Sequence, residues 1–147
     1  MYFKTRPTHP IEILKWEHEV FLKRLQGMEN SPEKMEQIVN VLKDLEEHQE
    51  AEERFVFPLV SDHQDDLSNL LRKQHAAILN SSDVLLALVN DGLNDEVVSF
   101  LKNFKNELII HFETERTGIF DRAMTILNEA QIDVLRIKFA TRRIHFL

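Results

Sequence analysis

The chain has 147 residues, no cysteine, three glycines, four prolines and a formal charge of −7. That length suits one compact domain, and scarce glycine and proline beside abundant Leu, Glu, Lys, Ile and Val favour long helices over a turn-rich β fold. The missing cysteines exclude disulfides, thiolate catalysis and Cys-ligated zinc or iron–sulfur centres; the acidic balance disfavours nucleic acid; no apolar run nears the roughly 20 residues that cross a bilayer.

Pro10 suits a first helical turn, and Ile11, Leu14, His18, Phe21, Leu22 and Leu25 recur at helical spacing up to Gly27, which defines a first helix. The segment GMENSP reads as a turn, with Ser31 capping and Pro32 opening a second helix towards Pro58. Its stripe is Met35, Ile38, Val41, Leu45, His48, Glu52, Phe55 and Leu59. After the polar loop SDHQDD, a third helix runs from about Asp66 to Gly92 through Leu67, Leu71, His75, Ile78, Leu85 and Val89. A fourth begins near Asp95 with Val97, Leu101, Phe104, Leu108, His111 and Glu115, and Gly118 marks a kink or weak point before Ile119 and Phe120. Asn128 and Gln131 form a capping box for a short fifth helix over 128–142.

Short connections, about 4 to 6 residues, fold consecutive helices back on one another. The expected fold is all-α: an up-down-up-down antiparallel four-helix bundle over about 9–127, with the fifth helix packed on it, in a single domain spanning 1–147. At about 1.5 Å per residue, His18, His48 and His75 lie about 12 to 15 Å from one end, and His111 stands as deep in its helix as His48 does. All four histidines therefore reach one layer.

Residues four apart on a helix project together, so His48 with Glu52, and His111 with Glu115, each offer an imidazole beside a carboxylate. Adding His18 and His75 gives four nitrogens and two carboxylates, enough for two metal ions bridged by the glutamates. Buried carboxylates are costly unless paired or metal-bound, and no Lys or Arg stands on these stripes. Imidazole with carboxylate suits iron first, with zinc or manganese able to use the same ligands. A lone histidine on an apolar stripe is usually a packed core residue, and an isolated His-x3-Glu pair an ordinary surface pair. Six such residues on four core stripes at one depth argue for a metal centre instead.

Four stretches now resemble the hemerythrin-like, or HHE cation-binding, domain family: ILKWEHEVFLKRL around His18, LEEHQEAEERFVFPLV around His48 and Glu52, LLRKQHAAIL around His75, and IIHFETERTGIF around His111 and Glu115. The likeness covers roughly residues 9–127. It implies two iron ions in a carboxylate-bridged and oxo- or hydroxo-bridged centre. Glu52 and Glu115 would be the bridges, His18 and His48 the ligands of one iron, His75 and His111 those of the other. Oxygen-carrying members have a further histidine four residues after the third-helix ligand, where this chain has Leu79. That departure leaves a coordination position for water, oxygen, nitric oxide or peroxide and turns the expectation from oxygen carriage to redox handling of small ligands. Gln49 departs from the histidine or acid common beside the second-helix ligand; it either hydrogen-bonds near the metals or packs. The ligand set also resembles that of iron-centre repair and nitric oxide-responsive members, which carry a cysteine-bearing N-terminal segment absent from this sequence. Ferritin-type bundles use Glu-x-x-His, which none of the four histidines shows.

The remaining residues read blandly. His9, His63 and His145 are surface residues; Glu17, Glu19, Glu47 and Glu53 are solvated or lie behind the ligands rather than bridging; Trp16 and the phenylalanines form a water-excluding wall. Tyr2 belongs to a disordered start. Arg136, Lys138, Arg142 and Arg143 make a solvated helix face with no assigned role. The start MYFKTRPTHPIE lacks a secretory apolar segment, so a cytoplasmic protein is expected, monomer or homodimer, with an electron donor that the sequence does not name. Two functions fit: a di-iron protein reacting with peroxide, oxygen or nitric oxide in oxidative or nitrosative stress, as an oxidoreductase if it turns over, or an oxygen or iron sensor or store without turnover. Beside these two stands a third reading, a structural zinc or empty bundle serving as an interaction module.

Overall fold

The computed structural model describes residues 7–31, 36–60 and 66–144. The predicted Ser31–Pro32 helix start, Met35, the loop at 61–65, Tyr2, His63 and His145 fall wholly or partly outside them. Among the described residues no strand occurs, and four helical rods form the bundle. The first rod is α1, Pro10–Asn30. The second is α2, Ile38–Ala51, continued through a π-helical turn, Glu52–Val56, into α3, Phe57–Val60. The third is α4, Asp66–Asn90, and the fourth is α5, Asn94–Glu115, continued through a second π turn, Arg116–Phe120, into α6, Asp121–Ile126. A fifth helix, α7, Glu129–Phe139, packs on α1 and the first π turn. Rod packing runs α1 to α2, α2 to α4, α4 to α5 and α5 back to α1, closing the bundle.

Local chemistry explains the ends. His9 caps α1 by accepting from Ile11 N–H through Nδ1, with Pro10 in the first turn, so this histidine has a structural post rather than a purely surface one. The expected turn at GMENSP comes later than predicted: α1 runs through Gly27 because Met28 is buried in the core and anchors one more turn. Between α4 and α5, Gly92 sits at φ 71°, Gly92 N–H donates to Val89 O and Leu93 N–H to Leu88 O, the Schellman arrangement in which glycine carries the left-handed residue. The capping box of Asn128 and Gln131 opens α7.

The buried stripes follow helical spacing: Leu14, His18, Phe21 and Leu25 on α1; Leu71, His75, Ile78 and Leu85 on α4; Leu101, Phe104, Leu108 and His111 on α5. The π turns shift two of the stripes. Past Glu52 the sequence expects Phe55 and Leu59 inside, but the extra residue of the turn rotates the rod, so Val56, Phe57 and Val60 are buried and the rod continues past Pro58. Gly118 lies within the second π turn; a Cβ there would stand 2.9 Å from Leu67 Cδ2 on α4, so the missing side chain lets the two rods approach.

The apolar interior is split. One cluster, with Phe21, Leu45, Ile78, Leu101 and Phe104, fills one end; another, with Leu14, Phe57, Leu71, Ile119 and Phe120, fills the other. On every rod the histidine falls between a member of one cluster and a member of the other, so the polar layer is sealed at both ends.

Candidate metal centre

All six predicted side chains meet in that layer, each no more than 6 % exposed. His18, His48, His75 and His111 come from α1, α2, α4 and α5; Glu52 opens the first π turn and Glu115 is the last residue before the second. Both carboxylates thus stand where the helix widens, a geometry found often at functional sites. His18 Nε2 lies 3.1 Å from His48 Nε2 and 3.1 Å from Glu115 Oε1. His75 Nε2 is 3.4 Å from Glu52 Oε1 and 3.4 Å from Glu115 Oε2, and His111 Nε2 is 3.2 Å from Glu115 Oε1. Two donor sets result, His18, His48, Glu52 and Glu115, and Glu52, His75, His111 and Glu115, each with its ligand atoms within 4.8 Å of one another. Both glutamates belong to both sets.

These residues fit a cation. Among the described residues, both oxygens of Glu52, both of Glu115, and Nε2 of His75 and His111 are buried without an aligned hydrogen bond. Leaving so many polar atoms unsatisfied in an apolar interior costs several kcal/mol, about 1 to 3 for each neutral group and more for a charge. Among the described residues histidines are the only basic side chains against the two carboxylates, and a cation in each of the two donor sets would give every one of these atoms a partner.

Without an ion, protons carry the compensating charge. Burial opposes ionisation of His48, but the charge of Glu52 and the hydrogen bond to Glu17 outweigh it and raise the imidazole to about 9. Burial likewise opposes His75, while its contacts with Glu115, Glu52 and Glu53 raise it to about 11. Burial and the neighbouring Glu52 charge push Glu115 upward, but His111 and His18 hold it at about 2; burial is similarly outweighed by His48 and its fellow imidazoles at Glu52, which stays well below the usual carboxylate range. Metal binding must therefore release protons. The metal-free protein is expected to lose thermal stability in alkali. The raised-pKa contribution of His48 is complete below 6.5 and disappears as pH rises through about 9, and that of His75 disappears through about 11. Thermal denaturation of chelated protein at pH 6.5 and 9.5 should show Tm falling by on the order of 5 °C. Metal-loaded protein, whose imidazoles are already deprotonated, should show no such fall.

Behind the layer, three histidines have fixed partners on Nδ1. His48 Nδ1–H donates to Glu17 Oε1 at 2.7 Å, and Arg142 Nη1 and Nη2 donate to Glu17 Oε1 and Oε2 at 2.8 and 2.6 Å. His75 Nδ1–H donates to Glu53 Oε2 at 2.8 Å, and His111 Nδ1–H to Gln74 Oε1 at 2.7 Å. Such contacts fix the tautomer, leaving Nε2 free for a cation. Glu17 thus lies fully buried behind His48, and Glu53, half-buried, behind His75. The basic face expected at the C-terminus is corrected at Arg142 alone, whose side chain is only 4 % exposed because the fully buried Glu17 carboxylate draws it in; Arg136, Lys138 and Arg143 are exposed, Lys138 over the Phe55 ring. Sequence reasoning missed Gln74 and Arg142. A signal for the first exists, since Glu17-His18 and Gln74-His75 place a hydrogen-bond acceptor in the same position before two of the histidines.

Aromatic rings wall the layer. Phe112 stacks on His18 with centroids 3.8 Å apart, Phe57 stacks on His75 at 5.9 Å, and Phe21 meets His48 edge-on at 5.3 Å. Trp16 instead lines a cleft of about 390 Å³ between α1 and α5, with His18, Leu22, Ile109, Phe112 and Arg116. Leu79, where oxygen carriers place a histidine, is 44 % exposed in the groove between α2 and α4 and offers no donor. Gln49 is buried in the same groove, its Nε2 without a hydrogen bond among the described residues.

No curated protein and no solved structure matches the chain. The hemerythrin HHE cation-binding domain does match, over residues 9–123, a span that stops before α7 and Arg142. Since it takes in three rods, all but the last three residues of the fourth, and all six clustered side chains, this chain belongs to the hemerythrin HHE cation-binding domain family.

Proposed function

We propose that this chain is a non-haem di-iron protein that binds and reacts with small ligands, peroxide, oxygen or nitric oxide, in oxidative or nitrosative stress defence. The observation that carries the reading is the pair of donor sets sharing Glu52 and Glu115, whose carboxylate oxygens are otherwise unsatisfied. His18 and His48 would hold one iron, His75 and His111 the other, and the glutamates both. A set of nitrogen and oxygen donors without thiolate suits iron and also manganese and zinc. Iron, when bound, supplies what the side chains cannot: reversible one-electron donors that, as a pair and with two protons, take one peroxide to two waters.

The chain's own residues do the rest. Glu17, Glu53 and Gln74 hold three imidazoles in a single tautomer with Nε2 turned to the layer. Phe112, Phe57 and Phe21 exclude bulk water, which strengthens charge interactions within the layer. Leu79 leaves the donor count at four imidazoles and two carboxylates, so an incoming small molecule has no fifth histidine to displace. Among the described residues no helix is long and apolar enough to cross a membrane, and a charge of −7 argues against a nucleic-acid partner.

Stopped-flow measurement of peroxide loss tests the reading, with iron-loaded wild type set against a His111→Ala, Glu115→Ala double variant. Wild type should consume peroxide at least 100-fold faster. Equal rates would remove the enzymatic reading. A reversible spectral change on cycling oxygen, with iron left ferrous and no peroxide consumed, would support a sensor or store.

A further inference from the structure

The two halves of the bundle repeat each other. Each has a histidine on its first rod, a His-x3-Glu pair on its second and a π turn at the glutamate. The supporting contacts repeat as well: Glu17, immediately before His18, accepts from His48, just as Gln74, immediately before His75, accepts from His111. The residue after each glutamate completes the pattern in one half only. Glu53, following Glu52, accepts from His75 Nδ1; the equivalent residue after Glu115 is Arg116, which has no acceptor to offer.

Consequently His18 is the one histidine of the layer whose Nδ1 has no hydrogen-bond partner among the described residues. It rests on the Phe112 ring and borders the α1–α5 cleft, on whose wall Arg116 stands, paired with Glu113 at the surface. The opposite set is better supported: His75 has a carboxylate behind it and His111 an amide. In the His18 set, only His48 is backed, by Glu17.

We propose that this broken symmetry makes the two metal positions unequal, and that the ion held by His18, His48, Glu52 and Glu115 is the exchangeable one, entering and leaving through the α1–α5 cleft. The inference rests on the two-metal reading above. Arg116 sets the difference: standing where the other half has a carboxylate, it leaves His18 without the outer hydrogen bond that steadies a ligating imidazole. An outer partner on a ligating histidine is worth about 10- to 100-fold in metal affinity, and that is the expected difference between the positions.

The experiment loads the full chain anaerobically with two equivalents of ferrous iron and mixes it with excess ferrozine, whose absorbance reads iron release without reference to turnover. Wild type should lose one equivalent in a fast phase and the second at least about tenfold more slowly. Arg116→Glu, which places a carboxylate where Glu53 stands in the other half, should slow the fast phase by about tenfold or more, and Glu53→Gln should speed the slow phase. Arg116 and Glu113 are more than half exposed and their pair is worth little, so the first substitution leaves the fold intact. Release of both equivalents in one phase from wild type, or a fast phase indifferent to Arg116→Glu, overturns the proposal while leaving two-metal binding standing. Binding of fewer than two equivalents overturns both.

Discussion

Glu52→Gln should yield a folded protein that holds neither metal equivalent, whereas His18→Ala should retain one. The asymmetry follows from the donor sets: His18 belongs to one of them and Glu52 to both. An amide in place of the carboxylate removes a unit of negative charge and an anionic oxygen from each position. The loss therefore exceeds the roughly 10- to 100-fold that removing even an outer partner costs. Packing changes little because the side chains are near-isosteric and Glu52 is fully buried without an aligned hydrogen bond of its own. Nor does the metal-free layer acquire a stranded charge. Burial opposes the charge of His48 and Glu52 is the strongest influence that sustains it, so the substitution lowers the imidazole's pKa and removes a negative and a positive charge from the layer in step. Metal analysis after loading, a competitive titration and the helical circular dichroism signal together check the result. Two equivalents retained with wild-type affinity would show that Glu52 is not a ligand.

The layer was legible because its signal is local. His48 and Glu52, or His111 and Glu115, need only the four-residue repeat to be placed together, and the apolar residues on either side say which way they face. Rod lengths then bring His18 and His75 to the same depth. The π turns left weaker marks, since an added residue in a helical turn changes register without changing composition: Phe55 and Leu59 look as much like core as Val56 and Val60 do. The ion pair behind His48 had no local mark at its far end. Glu17 and Arg142 are separated by most of the chain, and only the packing of α7 on α1 brings them together. Three of the four basic residues near the C-terminus do remain exposed, so composition there could not single out Arg142.

Arg142→Ala should lower stability by about 3 to 5 kcal/mol, the usual cost of removing one partner from a buried ion pair. That corresponds to a fall in Tm on the order of 10 °C. The Glu17 carboxylate has no exposed surface, and two of its contacts, both from Arg142, disappear together. Burial already opposes its charge, and His48 and Arg142 are what hold the group in its ionised form. With the guanidinium gone, Glu17 must either keep a poorly compensated charge or take up a proton and weaken its grip on His48. Glu17→Gln in the same chain removes the charge while keeping an oxygen that accepts from His48 Nδ1–H. The double variant should therefore recover most of the lost stability. What it does not recover measures the packing of the Arg142 stem together with the guanidinium's stacking over the Phe139 ring at 4.5 Å. A thermal or denaturant double-mutant cycle on metal-free protein gives the coupling directly. Additive losses, with the double variant no more stable than Arg142→Ala alone, would mean that the arginine acts through packing rather than charge. A large coupling would establish that a residue beyond the family-matched span fixes the outer face of the metal layer.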